Sequence, residues 1–255
     1  MARALEDRGT PGPLALVGSG EYLPEMAAVE AALLEGRPRR YVQLATAAVP
    51  DGPEAVRRWH RLGAAQADRL GVEAVILDVT TRADAEDPDV AAALAGAGLI
   101  YLSGGKPAYL AETLRSTPLW TAIVDAWRGG AALAGCSAGA MVMAAAIPSI
   151  RDPDAPPQPG LALLPHLRVV PHFDAFARRM PERLASLLSH RDPSVHLVGV
   201  DELTALVGGP EIWRVAGHGA AWLLGAGDAS APVRAGYGVR LAPGEPATLL
   251  GASVP

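Results

Sequence analysis

LAGCSAGA, running from Leu133 to Ala140, decides how this chain is read. A short apolar run enters Gly135-Cys136-Ser137-Ala138-Gly139 and leaves into small residues suited to the start of a helix. This is the form of a nucleophile elbow, a sharp strand-to-helix turn with Ser137 at its tip. Small flanking residues let the backbone fold closely around an exposed hydroxyl. The N–H groups that open the following helix face developing negative charge. Such an arrangement suits acyl transfer on Ser137, with hydrolysis the foremost outcome. G-x-S-x-G also arises by chance in a chain with 28 glycines, where it marks only a structural turn with an idle serine. Its position between a strand pattern and a helix pattern favours the elbow. If Ser137 occupies the tip, Cys136 points away from it, which predicts a buried, inert thiol.

Outward from the elbow, strand and helix patterns alternate. Leu14–Val17, Arg40–Leu44, Val72–Val79, Gly98–Leu102 and Ala131–Ala134 read as strands. Pro24–Leu34, Gly52–Leu70, Asp87–Ala95, Lys106–Leu114, Pro118–Trp127 and Ala138–Ala146 read as helices. The alternation predicts an α/β fold: a three-layer sandwich with a mostly parallel central sheet. Ligands in such sheets lie beyond the carboxyl ends of the strands. The glycine turns after Val17, Leu102 and Ala134 fall on that edge. PSIRDPDAPPQPG, at 148–160, is too rich in proline for a regular helix or central strand and reads as a surface loop near the site. Leu167–Val170 and His196–Val200 follow as strands around a helix over Ala175–Leu188, interrupted at Pro181. Ala205–Val207, Glu211–Val215 and Ala220–Leu223 predict C-terminal β-hairpins at one sheet edge. Residues 1–255 are read as a single domain.

Composition narrows the function classes. Half of the 255 residues are apolar and 19% are charged, a globular balance. The net charge of -5, with no basic stripe interleaved with aromatics, argues against nucleic acid or an anionic membrane as partner. One cysteine allows neither an intrachain disulfide framework nor a cysteine-rich metal site, and the histidines and acids show no zinc spacing. No metal and no cofactor are expected. Gly18-Ser19-Gly20 lacks the third glycine of a dinucleotide fingerprint. Met1 to Pro13 lacks a basic segment followed by a long apolar run, and no stretch is apolar enough to span a bilayer. The expectation is a cytoplasmic location.

A serine nucleophile needs a base, and the base needs an orienting partner. His172 is the first choice, because it follows a predicted strand and opens a helix, where catalytic groups gather. His166 lies at the other end of that strand; His60, His190, His196 and His218 sit in a helix or in turns. The bland reading of His172 is a ring that caps the helix or bonds a carbonyl. For the acid, Glu202 follows the next strand at its carboxyl end. The adjacent Asp201 points the other way in extended backbone. Asp152, in the proline-rich loop, is the alternative acid, and Asp174 reads as a helix cap. Gly104-Gly105 lets backbone N–H groups approach a carbonyl closely. Gly105 and Ala138 are the expected oxyanion donors, and a plain glycine turn is the competing reading.

Several longer stretches carry a family resemblance. YLSGGKPAYLAETL, LAGCSAGAMVM, GLALLPHLRVVPHFDAFARRMPERL and LVGVDELTALV, in this order, cover Leu99 to Val207. LALVGSGE adds a first strand. Together they resemble peptidase family S51, which contains cyanophycinase and the aspartyl dipeptidase called dipeptidase E. The resemblance implies a glutamine-amidotransferase-like fold with serine replacing that superfamily's cysteine. It implies Ser137 as nucleophile and His172 as base. The cyanophycinase pattern puts the acid at Glu202, and the dipeptidase pattern puts it at Asp152; the match around VDELTAL favours Glu202. Where the family carries a polar pair after the two glycines, this chain has Lys106-Pro107. Proline lacks an amide donor, and Lys106 favours an acidic group in the substrate, unless it simply faces solvent.

The resulting expectation is a serine-type peptidase, cyanophycinase-like or dipeptidase E-like, cleaving peptide or isopeptide bonds of small aspartyl-containing peptides through an acyl-enzyme on Ser137. The partner is a small peptide or isopeptide substrate, and the resemblance adds a homodimer. A non-catalytic carboxylate-binding protein on the same fold, or an esterase or acyl transferase, are the alternatives.

Overall fold

A computed structural model describes residues 10–149, 152, 155–225 and 231–252. The reading of Met1 to Pro13 and of the 148–160 loop therefore falls partly outside the described residues, at 1–9, 150–151 and 153–154.

In chain order the elements are β1 (Leu14–Val17), α1 (Ala27–Leu34), β2 (Arg40–Leu44), α2 (Pro53–Arg69), β3 (Glu73–Leu77), α3 (Arg82–Glu86), α4 (Pro88–Ala92), β4 (Leu99–Leu102), α5 (Pro107–Leu114), α6 (Pro118–Arg128), β5 (Ala132–Cys136) and α7 (Ala138–Met141). After these come β6 (Ala146–Ile147), β7 (Gln158–Pro159), β8 (Leu167–Val170), α8 (Phe173–Arg179), α9 (Pro181–Ser189), β9 (His196–Val200), β10 (Thr204–Gly208), β11 (Ile212–Gly217), β12 (Ala220–Leu224), β13 (Ala231–Arg234), β14 (Gly238–Arg240) and β15 (Thr248–Leu250). Proline occupies the first turn of α2, α4, α5, α6 and α9, where its missing N–H costs nothing and its fixed φ suits a helix start. No helix among the described residues is long and apolar enough to cross a membrane.

The central sheet is mixed rather than mostly parallel. Its nine strands run β15-β14-β11-β10-β1-β5-β4-β2-β3. Pairs among β1, β5, β4, β2 and β3 are parallel, and every pair from β1 outward through β10 to β15 is antiparallel. In the antiparallel half, the turn at Gly209-Pro210 folds β10 back onto β11 as a hairpin, while β14, much later in the chain, pairs with the far side of β11 and with β15. β12, expected at that same edge, instead leaves for a second sheet ordered β13-β12-β9-β8. β8 and β9 are parallel there, with Val170 opposite Gly199.

Fully buried strands explain the apolar runs. β1, β4 and β5 are buried at every residue, so both faces are covered. One apolar core joins the two sheets: Leu16, Leu133 and Leu206 from the first share it with Val169, Val198 and Leu223 from the second.

The helix expected over Ala138–Ala146 ends at Met141. Tertiary pairing overrides its local helical preference. The carbonyls of Val142, Met143, Ala144 and Ala145 accept from the N–H groups of Leu161, Leu164, Ala162 and Gly160. Residues 142–145 thus turn and pair with 160–164, the short β6–β7 pair follows, and Ile147 and Gln158 line the cavity above Ser137.

Candidate active site

Ser137 leaves β5 with φ 49° and ψ -106°, a strained conformation that turns its hydroxyl out of the sheet. Two glycines make the turn feasible. A Cβ on Gly135 would overlap the Gly139 backbone, and a Cβ on Gly139 would overlap the Leu102 carbonyl. The Ser137 N–H donates to the Val17 carbonyl at 2.9 Å, which pins the turn to the end of β1.

His172 and Glu202 come from the second sheet. Because β8 and β9 are parallel and in register, the residues just past Val170 and Val200 emerge side by side. His172 takes a left-handed conformation, φ 50° and ψ 38°, as the chain turns from β8 into α8. Leu203, also left-handed at φ 52°, turns the chain from Glu202 into β10 of the central sheet. The outcome is a continuous polar line. Ser137 Oγ lies 3.2 Å from His172 Nε2, and His172 Nδ1 lies 2.9 Å from Glu202 Oε1. The side chains of His172 and Glu202 remain 44% and 47% exposed, so solvent and ligands reach them.

Asp174, expected as a helix cap, does something else. Helix α8 already begins at Phe173, and the Asp174 carboxylate accepts the Glu202 N–H at 3.0 Å. It holds the backbone of the acid that faces His172. Asp201 points away from Glu202, toward β12. It accepts from the Ala220 N–H and from Trp222 Nε1, and burial raises its carboxyl above the usual range. Asp152 lies exposed in its loop, where its N–H donates to Ser149 Oγ; no hydrogen bond joins it to His172 among the described residues. The structure therefore brings Ser137, His172 and Glu202 together and leaves Asp152 apart.

The glycine pair divides in two. The Gly104 N–H donates to Glu21 Oε1 at 2.9 Å, so it is not free for a substrate oxygen. Gly105, at φ 142°, packs so closely on the Ala47 backbone that no side chain fits. Among the described residues the N–H groups of Gly105 and Ala138 have no protein acceptor. Lys106 lines the cavity beside them and pairs with Asp51 at 3.0 Å.

Glu21 was not singled out by the sequence, yet it links both halves of this edge. It is 7% exposed, and while Oε1 accepts from Gly104, Oε2 lies 2.8 Å from Cys136 Sγ. Burial, and after it the neighbouring Glu21 carboxylate, push the Cys136 thiol well above its ordinary value, so it stays protonated and donates. Its only signal was a charged residue directly after the Gly18-Ser19-Gly20 turn, at the carboxyl end of β1. Among the described residues, no group of three or more His, Cys, Asp or Glu is placed to hold a metal ion.

The model of peptidase family S51 matches residues 41–210, a span that includes Ser137, His172 and Glu202. The chain belongs to peptidase family S51. This S51 chain is 33% identical over 171 residues to the cyanophycinase of Synechococcus elongatus, and 31% identical over 167 residues to that of Nostoc sp.. The first match covers 63% of this chain and 52% of the relative; the second covers 62% and 55%. The chain thus spans about half the length of the curated relatives it matches. A solved structure of a peptidase from an acI-B1 Actinobacterium is 39% identical, with a TM-score of 0.83 over 92% of this chain and 99% of that one. The α/β fold with its mixed sheet is consistent with a glutamine-amidotransferase-like architecture.

Proposed function

We propose that the protein is a serine hydrolase that cleaves peptide or isopeptide bonds of small aspartyl-containing peptides through an acyl-enzyme on Ser137. The observation that carries this reading is the line Ser137 Oγ, His172, Glu202, with gaps of 3.2 and 2.9 Å. Membership of family S51 supports the reaction class.

In this reading His172 Nε2 takes the Ser137 proton as Oγ attacks the substrate carbonyl. The Gly105 and Ala138 N–H groups, both without protein acceptors, receive the developing oxyanion. The tetrahedral intermediate collapses, the C–N bond breaks, and His172 gives its proton to the departing amine. Water then attacks the acyl-enzyme with His172 again as base, which regenerates Ser137. Glu202 accepts from Nδ1–H throughout, fixing the tautomer and stabilising the imidazolium. Lys106 sits where a substrate carboxylate would meet a positive charge, shared with Asp51.

The test is turnover of α- and β-linked aspartyl dipeptides by wild-type protein and by Ser137→Ala. Turnover abolished in a variant with unchanged circular dichroism supports the reading. Equal turnover in both proteins rejects it. Tight peptide binding without turnover by wild type selects the non-catalytic alternative.

A further inference from the structure

The turns that carry His172 and Glu202 both contain strained backbone. His172 is left-handed at φ 50°, and Leu203, directly after Glu202, at φ 52°. Neither is glycine, so each turn keeps its shape only where surrounding contacts over-determine it. Two aspartates outside the reacting line supply such contacts. Asp174 lies two positions past His172, and its carboxylate accepts the Glu202 N–H at 3.0 Å. Asp201 lies directly before Glu202, and the Asp174 N–H faces its buried carboxylate and favours the ionised form. Each turn therefore offers an acceptor to the other's backbone. The base and the acid are joined through the main chain as well as by the 2.9 Å bond between their side chains.

Asp201 reaches further. Its Oδ2 accepts the Ala220 N–H at 3.0 Å and its Oδ1 accepts Trp222 Nε1 at 2.8 Å, both on β12. The Trp222 ring packs on Phe173, which lies between His172 and Asp174, with centroids 5.5 Å apart. The Asp201 carbonyl sits so close to Gly18 that any Cβ there would overlap it. Gly18 follows Val17, whose carbonyl takes the Ser137 N–H. The Glu202 carbonyl accepts from Thr204 Oγ1 at 3.0 Å, and that hydroxyl oxygen accepts the Gly219 N–H at 2.9 Å. The peptide groups on both sides of Glu202 are thus tied, and Asp201 touches the turn of the base, β12 and the end of β1.

From this arrangement we infer that Asp174 and Asp201 are positioning residues, a reciprocal pair that holds the His172 turn and the Glu202 turn in one register. The need is physical. An imidazole and a carboxylate, 44% and 47% exposed, gain little from each other in water. Fixing both main chains removes much of the freedom that their contact would otherwise have to overcome. Neither aspartate lines the cavity, so loss of the pair acts on how well His172 is aimed and leaves substrate binding in place. The inference rests on the hydrolase reading for the reaction that slows, while the geometry it claims is read separately.

Steady-state kinetics on the full-length chain, with the aspartyl dipeptide that wild type cleaves, is expected to show kcat lowered about 10- to 100-fold in Asp174→Ala with KM unchanged. Asp174→Asn keeps an acceptor oxygen for the Glu202 N–H and is expected to recover most of that loss. Trp222→Phe keeps a ring against Phe173 but removes one donor to Asp201. It is expected to give a smaller fall, in kcat alone, and serves if Asp174→Ala does not fold. The second readout is the His172 Nδ1–H proton, observed by magnetic resonance with isotopically labelled histidine and assigned by its absence in His172→Gln. It is expected downfield in wild type and Asp174→Asn, and lost in Asp174→Ala. Wild-type kcat or an intact Nδ1–H resonance in Asp174→Ala overturns the inference, as does an Asp174→Asn protein no better than Asp174→Ala. Wild-type kcat in Trp222→Phe removes Asp201 from the pair. A resonance that follows this order in a protein without turnover retires the hydrolase reading and keeps the pair, whereas turnover indifferent to Asp174 does the reverse.

Discussion

The nucleophile and its base are held in opposite ways. Ser137 stands on β5, between β1 and β4, three strands buried at every residue. Its turn is closed by backbone packing at Gly135 and Gly139 and by the buried Glu21 contacts. His172 and Glu202 stand just past strands of the second sheet, with side chains nearly half exposed and positioned by hydrogen bonds to each other, to Ser137 and to Asp174. Close packing tolerates little displacement, so the serine side is preset. The histidine side depends on polar contacts that water competes for. One edge therefore fixes where attack occurs, and the other can adjust as substrate enters.

That contrast sets the expected size of each substitution. Glu202→Gln keeps the shape but removes the charge facing Nδ1–H; kcat is expected to fall about 10²- to 10⁴-fold with KM nearly constant, by steady-state kinetics. A fall under threefold would separate Glu202 from the reaction.

The buried half has its own acid. Glu30 on α1 is buried with Oε2 accepting from Tyr41 Oη at 2.8 Å, and desolvation raises its pKa from 4.5 to about 7. The folded state then binds the proton more tightly than the unfolded state. Stability is greatest below the ordinary carboxylate value and declines as pH rises toward 7, by roughly 3 kcal/mol. Denaturant unfolding between pH 4.5 and 8 should show this decline in wild type and a flatter profile in Glu30→Gln. The same slope in both proteins would exclude Glu30 as its source.

Glu21 tests whether the preset side is truly stiff. Glu21→Ala removes the acceptor for the Gly104 N–H and loosens the approach of Gly105. It is expected to lower kcat about tenfold, less than loss of an oxyanion donor itself, with KM little changed. Glu21→Gln retains one acceptor oxygen and should recover most of that loss. No recovery, or a KM effect instead, would mean that Glu21 matters only for folding. At the small end, Asp152→Ala is expected to leave kcat/KM within about twofold, because no hydrogen bond joins Asp152 to His172 among the described residues. A loss comparable to Glu202→Gln would make Asp152 the acid.

The sequence revealed these two sides unequally. The elbow is a local feature: five residues, their glycines and the flanking strand and helix patterns are enough to place Ser137. The central parallel strands β1, β4 and β5 are readable as short runs without a charged residue. Adjacency was harder. His172 and Glu202 are thirty positions apart, and only the register of β8 with β9 makes them neighbours. Each strand alone gave the right end of the right element. What failed was tertiary in origin. The helix after Ser137 was read too long because residues 142–147 find partners at 158–164 that no local pattern encodes. β12 was placed at the central sheet although it pairs with β9 in the second one. Asp174 looked like a cap because helix-start statistics do not see a distant Glu202 N–H. Glu21 carried almost no signal, since one charged residue after a glycine turn is usually exposed.

The most direct measurement is active-site labelling with a fluorophosphonate, read by peptide mass spectrometry on wild type, Ser137→Ala and Cys136→Ala. The account predicts one adduct, on Ser137, abolished by Ser137→Ala and retained in Cys136→Ala. A folded wild-type protein that takes no label, or a label on another residue that survives Ser137→Ala, would contradict it.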